Sequence, residues 1–318
     1  MKTEPMTNGK ITWLWATNSK GEKMSYPIGS CTALITPFKN GKLDEAQYHE
    51  LIKRQIKLGI DIVSPMGTTG ESPTVSHEEH KKCIEIAIET TKGTGVKVLA
   101  GAGSNSTDEA IDLALFSQKA GADAILVVAP YYNKPTQEGL YQHFKEIAKN
   151  VETGIMLYNV PGRCGVDITP ATVKRLTDEF SHIYSIKEAS GSMERCVELG
   201  VSSPNVAIFC GDDAINYPVL ANGGKGVVSV TGNLFPEKMK EMVEASANGN
   251  YLRAKQINDE LFEINKALFV ETNPIPIKAA MHIVGLIDHL EYRLPLTPPS
   301  TDTYKRLEAV LSKYTVAK

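Results

Sequence analysis

Short apolar runs alternate with amphipathic stretches along most of the chain. Eight runs, at 32–35, 60–64, 96–100, 124–129, 155–158, 183–186, 206–209 and 226–230, are each 4–6 residues long, and most are continuously apolar. Strands buried on both faces read this way, as in a parallel sheet covered by helices. Between the runs, Tyr48, Leu51, Ile52 and Ile56 recur at helical spacing, as do Ile84, Ala87 and Ile88. Gly59-Ile60-Asp61 and Gly121-Ala122-Asp123 each lead into a run, as a glycine that caps a helix before the next strand would. Eight strands with intervening helices between about 30 and 230 predict an α/β fold, the (β/α)8 TIM barrel. A doubly wound sheet is the alternative, but it rarely spends eight parallel strands on so short a stretch. From 236 the strands stop. Segments 236–248, 251–269, 275–287 and 301–314 read as helices, broken by Asn273-Pro274 and by Leu294-Pro295 through Pro299. They predict a C-terminal helical extension, packed on the barrel or mediating assembly.

The expected organisation is therefore a tail at 1–28, a barrel at 29–235 and a helical region at 236–318. The tail is polar and aperiodic, yet holds both tryptophans, Trp13 and Trp15. It reads either as a docking motif or as a leader upstream of an alternative start at Met24, and it is set apart from the fold.

Composition narrows the classes of function. Of 318 residues, 42% are hydrophobic and 22% charged, enough for a large core. Lys plus Arg is 34 and Asp plus Glu 37, a net charge of -3 that gives no electrostatic reason to expect nucleic acid or an anionic membrane as partner. No apolar run approaches the length of a membrane span. Cys31, Cys83, Cys164, Cys196 and Cys210 form no CxxC pair, and an odd count suits a reducing compartment. With no signal-peptide pattern at the N-terminus, the expected location is the cytoplasm.

Barrel enzymes carry their chemistry on the loops that follow the strands. Here these are Gly67-Thr68-Thr69-Gly70-Glu71-Ser72 after strand two, Pro130-Tyr131-Tyr132-Asn133-Lys134-Pro135 after strand four, and Tyr158-Asn159-Val160-Pro161-Gly162-Arg163 after strand five. Lys187-Glu188-Ala189-Ser190 follows strand six, and Gly211-Asp212-Asp213 strand seven. Lys187 is the most informative, because a strand-end ammonium points into the barrel mouth. It is either a Schiff-base amine or an ordinary lysine, paired with Glu188 or snorkelling to solvent. Tyr158 is either a proton donor and acceptor beside that amine or a core tyrosine with a wet hydroxyl. Thr68 and Thr69 offer hydroxyls and close-approaching N–H groups that suit a carboxylate, though an ordinary turn has the same composition. Arg163, on a stiff loop, could clamp a second carboxylate or pair with a surface acid.

Competing chemistries are poorly supported. His77 and His80 are three apart, not four as in HExxH. Gly101-Ala102-Gly103 lacks the third glycine of a dinucleotide fingerprint, and no GxxxxGK[ST] occurs. Gly223-Gly224-Lys225-Gly226 precedes strand eight, whereas barrel phosphate sites follow strands seven and eight. A metal, a nicotinamide and a phosphosugar are each unsupported.

Taken together, GTTGES at 67–72, PYYNKP at 130–135, YNVPGR at 158–163 and KEA at 187–189 resemble the dihydrodipicolinate synthase family, within the pyruvate-dependent class I aldolase and lyase superfamily, over about residues 28–316. The resemblance implies that Lys187 forms a Schiff base with pyruvate and that no separate cofactor or metal is needed. It implies a proton relay of Tyr158, Thr68 and Tyr132, with Tyr132 reaching into a neighbouring subunit's site. Thr69 would bind the pyruvate carboxylate, with backbone near Val228 and Gly211 closing the pocket, and Arg163 the carboxylate of L-aspartate-4-semialdehyde. The pathway implied is diaminopimelate and lysine biosynthesis, and the assembly a homotetramer built as a dimer of dimers. Ser72, His77, His80, Asn105, Glu109 and Tyr131 match positions that bind L-lysine as an inhibitor in many members, against the plainer reading of a polar interface cluster. Cys164 stands where a Thr often follows the arginine, and is expected near the site entrance. Arg163 and Tyr131-Tyr132 argue against the sibling reading, an N-acetylneuraminate lyase or sugar-acid aldolase. An intact Lys187, Tyr158 and Thr68 argue against a non-catalytic barrel.

Overall fold

The structure, a computed structural model, describes residues 13–17 and 23–318; residues 1–12 and 18–22 of the tail lie outside the described residues. Eight parallel strands close into a barrel: β1 (Gly29–Ala33), β2 (Ile62–Ser64), β3 (Lys97–Gly101), β4 (Ala124–Val128), β5 (Gly154–Asn159), β6 (Ile183–Glu188), β7 (Ala207–Cys210) and β8 (Gly226–Ser229). Each of the eight apolar runs overlaps one of these strands, though β1 starts three residues before its run and ends at Ala33. The barrel closes where β8 pairs with β1, Val227 opposite Ser30.

The helices between them are α1 (Glu45–Lys57), α2 (His77–Thr91), α3 (Thr107–Ala120), α4 (Gln137–Asn150), α5 (Pro170–Glu179), α6 (Met193–Ser202), α7 (Asn216–Ala221) and α8 (Pro236–Ala247). Helix α8 lies against β1 and β8, so it is the eighth member of the helical ring. The boundary drawn at 235 cuts this helix away from the strands it covers, because Pro236 marks a helix start and says nothing about packing. The extension proper is α9 (Tyr251–Ala267), α10 (Ile275–Ile283) and α11 (Thr301–Leu311), with α11 against both α9 and α10. Among the described residues no helix is long and apolar enough to cross a membrane. All five cysteines are buried and unpaired.

The tail is not wholly apart from the fold. Trp13–Thr17 and Lys23–Pro27 pair as an antiparallel ribbon. Tyr26 is buried and stacks on Tyr184 of β6 with ring centroids 4.7 Å apart. A boundary at 28 therefore falls after a residue that belongs to the barrel. The same region of β6 carries an irregularity. Ile183 pairs with Ile155 and Ser185 with Met156, so Tyr184 is an extra residue in the ladder, a bulge. Above it the register is regular: Lys187 lies opposite Tyr158, and Glu188 opposite Asn159.

Candidate active site

Strand alternation sorts the ends of β5 and β6 into two faces. Asn159 and Glu188 share one: Nδ2 of Asn159 donates to Oε2 of Glu188 at 3.0 Å and to Oδ1 of Asp167 at 2.8 Å. The N–H of Ser190 donates to the other Glu188 oxygen at 2.8 Å. Glu188 is thus satisfied away from the mouth and is not the partner of Lys187. Lys187 and Tyr158 share the other face. The Lys187 ammonium sits 4.1 Å from the centre of the Tyr158 ring, buried, with no carboxylate paired to it among the described residues. A buried lysine without a counter-ion is a poor structural element and a good nucleophile.

Tyr158 Oη lies 3.5 Å from Thr68 Oγ1. That is long for a hydroxyl pair, and short enough for a substrate atom or water to bridge. The threonines sit on a single 3-10 turn, Thr68–Gly70, that follows β2. Gly211 clears the stem of the amine: a Cβ there would fall 2.9 Å from Lys187 Cε and 2.7 Å from Ala189 Cβ. Val228 is buried in β8 and does not line the open cavity.

These groups open into a cavity of about 560 Å³ lined by Thr68, Thr69, Tyr158, Arg163, Lys187 and Gly211. Asn273, Lys266 and Arg306 line it too, and sequence reasoning missed all three. They come from the C-terminal extension, whose pattern predicts packing on the barrel or assembly and carries no chemical motif. Asn273 joins two of the expected site residues. Its Nδ2 donates to Thr69 Oγ1 at 3.0 Å, and its carbonyl accepts from Arg163 Nη2 at 3.1 Å. The available signal was Asn273-Pro274, treated only as a helix breaker. Arg163 itself is exposed, on the one-turn helix Pro161–Cys164.

A second cavity, about 400 Å³, shares Thr68, Tyr158 and Arg163 with the first and is lined beyond them by Ser72, His77, His80, Glu109 and Tyr131. Ser76 caps α2 with a full capping box, which sets His77 and His80 three apart on its first turn. Glu109 is on the first turn of α3, capped by Ser106. His77 Nε2 lies 2.6 Å from Glu109 Oε1, and Ser104 Oγ donates to the other oxygen of Glu109. His80 is buried, with Nε2 2.7 Å from the Gly101 carbonyl, and burial lowers its pKa. Asn105 does not line the cavity; its Nδ2 donates to the Tyr131 carbonyl at 3.2 Å.

Two placements differ from expectation or stand apart. Cys164 is buried and lines the second cavity, not the mouth of the first, and burial pushes its thiol up to about 11. The one-turn helix explains this: Arg163 faces out where Cys164 turns inward. Tyr132 lines neither cavity. It is 89% exposed, with φ +74°. Among the described residues no cluster of three His, Cys, Asp or Glu side chains is placed to hold a metal ion.

A desolvated, unpaired lysine at a strand end, hydroxyls beside it and a glycine cleared for its stem make the arrangement of a barrel enzyme of the class I aldolase kind. The chain belongs to the dihydrodipicolinate synthetase family, whose model matches residues 27–314. It is 65% identical to 4-hydroxy-tetrahydrodipicolinate synthase of a Nitratiruptor species, over 91% of this chain and 98% of that one. It superposes on the chloride-inhibited dihydrodipicolinate synthase of Acinetobacter baumannii complexed with pyruvate (TM-score 0.87, 41% identity, 90% of this chain and 98% of that one). The enzyme of Cyanidioschyzon merolae with lysine bound is also similar (TM-score 0.86, 38% identity, 90% of this chain and 97% of that one).

Proposed function

We propose that this chain condenses pyruvate with L-aspartate-4-semialdehyde to give 4-hydroxy-tetrahydrodipicolinate, in lysine and diaminopimelate biosynthesis. The observation that carries the reading is the buried, unpaired Lys187 beside Tyr158, with Glu188 turned to the other face. The Lys187 amine attacks the pyruvate carbonyl, and the carbinolamine loses water to an imine. Loss of a methyl proton gives the enamine, which attacks the aldehyde carbon. The product cyclises and leaves by transimination, returning the lysine. No other cofactor is required.

Tyr158 and Thr68 move the protons of carbinolamine formation and dehydration. Thr69 holds the pyruvate carboxylate, Gly211 gives the stem room and Val228 backs the pocket. Arg163 reads the carboxylate of the aldehyde bidentately, which favours this substrate over a sugar acid. Tyr132, projecting from the surface, completes the relay in a neighbouring subunit, which supports a homo-oligomer, a dimer of dimers. The second cavity takes L-lysine: Glu109 suits its ammonium groups, Ser72, His77, His80 and Tyr131 surround the rest, and Asn105 holds the Tyr131 backbone from behind. The pyruvate and lysine complexes of the similar enzymes support both assignments. Five unpaired, buried thiols suit a reducing compartment, and we place the reaction in the cytoplasm.

Borohydride reduction with pyruvate, then intact mass and peptide mapping, tests the core. The expected result is one pyruvyl adduct, on Lys187. Folded protein without an adduct overturns the reading.

A further inference from the structure

Glu71 and Lys278 form an ion pair that solvent does not reach: Nζ lies 2.6 Å from Oε1, and both side chains are 0% exposed. The second carboxylate oxygen accepts from the Arg293 N–H at 3.1 Å. The ammonium also faces the rings of Phe38, at 4.4 Å, and Tyr292, at 4.9 Å. Arg293 is itself locked, its guanidinium forked onto Glu79 at 2.6 and 2.7 Å. Burial lowers the Lys278 pKa, with Glu71 opposing it. Two desolvated charges are costly, and replacing such a pair with apolar groups is often no loss to stability. Stability alone is therefore a weak reason for the pair.

What it joins gives a better reason. Glu71 comes two residues after Thr69 and holds φ +56°, the left-handed region that a non-glycine residue adopts only when its surroundings impose it. Lys278 lies on α10, just after Asn273, whose amide donates to Thr69 Oγ1. The threonine turn is thus fastened to the start of one helix twice, by the ion pair and by the amide. An oxygen that accepts from Asn273 keeps its own proton for a third group. The Thr69 hydroxyl is left as a donor toward the cavity.

Resting on the reading of Lys187 and pyruvate above, we propose that Glu71 and Lys278 are positioning residues for the substrate carboxylate. By holding the turn against α10 they keep Thr69 accepting from Asn273 and donating to that carboxylate. Neither side chain touches substrate.

The test is the pyruvate concentration that half-saturates borohydride-trapped adduct on Lys187, measured beside the thermal midpoint. Wild type is compared with K278M, E71Q and the double variant E71L/K278M. K278M raises half-saturation by about tenfold and lowers the midpoint, since it strands a buried carboxylate. E71Q keeps the hydrogen-bonding shape, gives a smaller rise and reports on the pair should K278M fail to fold. The double variant regains the midpoint but not the half-saturation. Wild-type half-saturation in the folded double variant or in E71Q overturns the proposal alone. A wild-type protein that takes no adduct overturns the reading it rests on, and this proposal with it.

Discussion

Lys187 and Glu188 are neighbours in sequence and point to opposite faces of β6. One is a buried amine over the Tyr158 ring, the other a carboxylate bound to Asn159 and Ser190. The chemistry needs both halves of this arrangement. Lys187→Ala removes the adduct entirely and leaves the thermal midpoint within a few degrees of wild type; substantial turnover in the variant counts against covalent catalysis.

Tyr158→Phe keeps the ring under the amine and deletes the hydroxyl 3.5 Å from Thr68. Turnover falls by about 10²–10⁴ as for other lost proton donors. The double variant with Thr68→Val is little worse than either single one, because a relay fails as a unit. Multiplicative losses in steady-state kinetics contradict the relay.

Gly211→Ala places a methyl 2.9 Å from Lys187 Cε. The stem must shift, so adduct formation slows strongly while overpacking costs about 1–3 kcal/mol of stability. Stopped adduct trapping and denaturant unfolding read the two effects separately; an adduct rate equal to wild type sinks the steric argument.

Saturating L-lysine lowers the rate of the wild-type enzyme. Glu109→Gln removes the charge that His77 and Ser104 hold in place, and sensitivity drops about tenfold, some 1.4 kcal/mol, with the pyruvate KM unchanged. A wild-type rate indifferent to lysine removes the effector assignment.

Burial pushes the His143 pKa down to about 4. The neutral ring is bound to Thr107 Oγ1 at 2.9 Å. A lowered folded-state pKa means the unfolded chain takes up the proton first. The stabilisation is complete above about 6.5 and is lost as pH falls toward 4, amounting to about 3 kcal/mol. Denaturant midpoints measured across that window show the decline, and His143→Asn flattens it.

All eight strands were legible because parallel strands buried on both faces are written as short apolar runs. The convergence of Lys187, Tyr158, Thr68 and Arg163 on one cavity was legible because the segments that follow barrel strands meet at one place. What was not legible lies in tertiary pairing. Glu71 and Lys278 are 207 positions apart, and nothing in either segment announces the other. Asn273 looked like punctuation before a proline, because its partners, Thr69 and Arg163, come from two distant loops. Cys164 was placed by its neighbour in sequence, and one turn of helix put it in the other cavity.

The bulge at Tyr184 sits three residues below Lys187 and gives β6 one residue more than its neighbour over that stretch. A side chain's face on a strand depends only on whether its count is odd or even. With the bulge kept, deleting one residue between it and the mouth would therefore exchange the two neighbours, presenting a carboxylate to the substrate and turning the amine toward Asn159; a deletion that flattened the bulge instead would leave both in place. The loops around this mouth can lengthen or shorten without touching that parity, whereas a change of one in this stretch keeps the sign of the charge at the centre of the site only if the bulge takes it up.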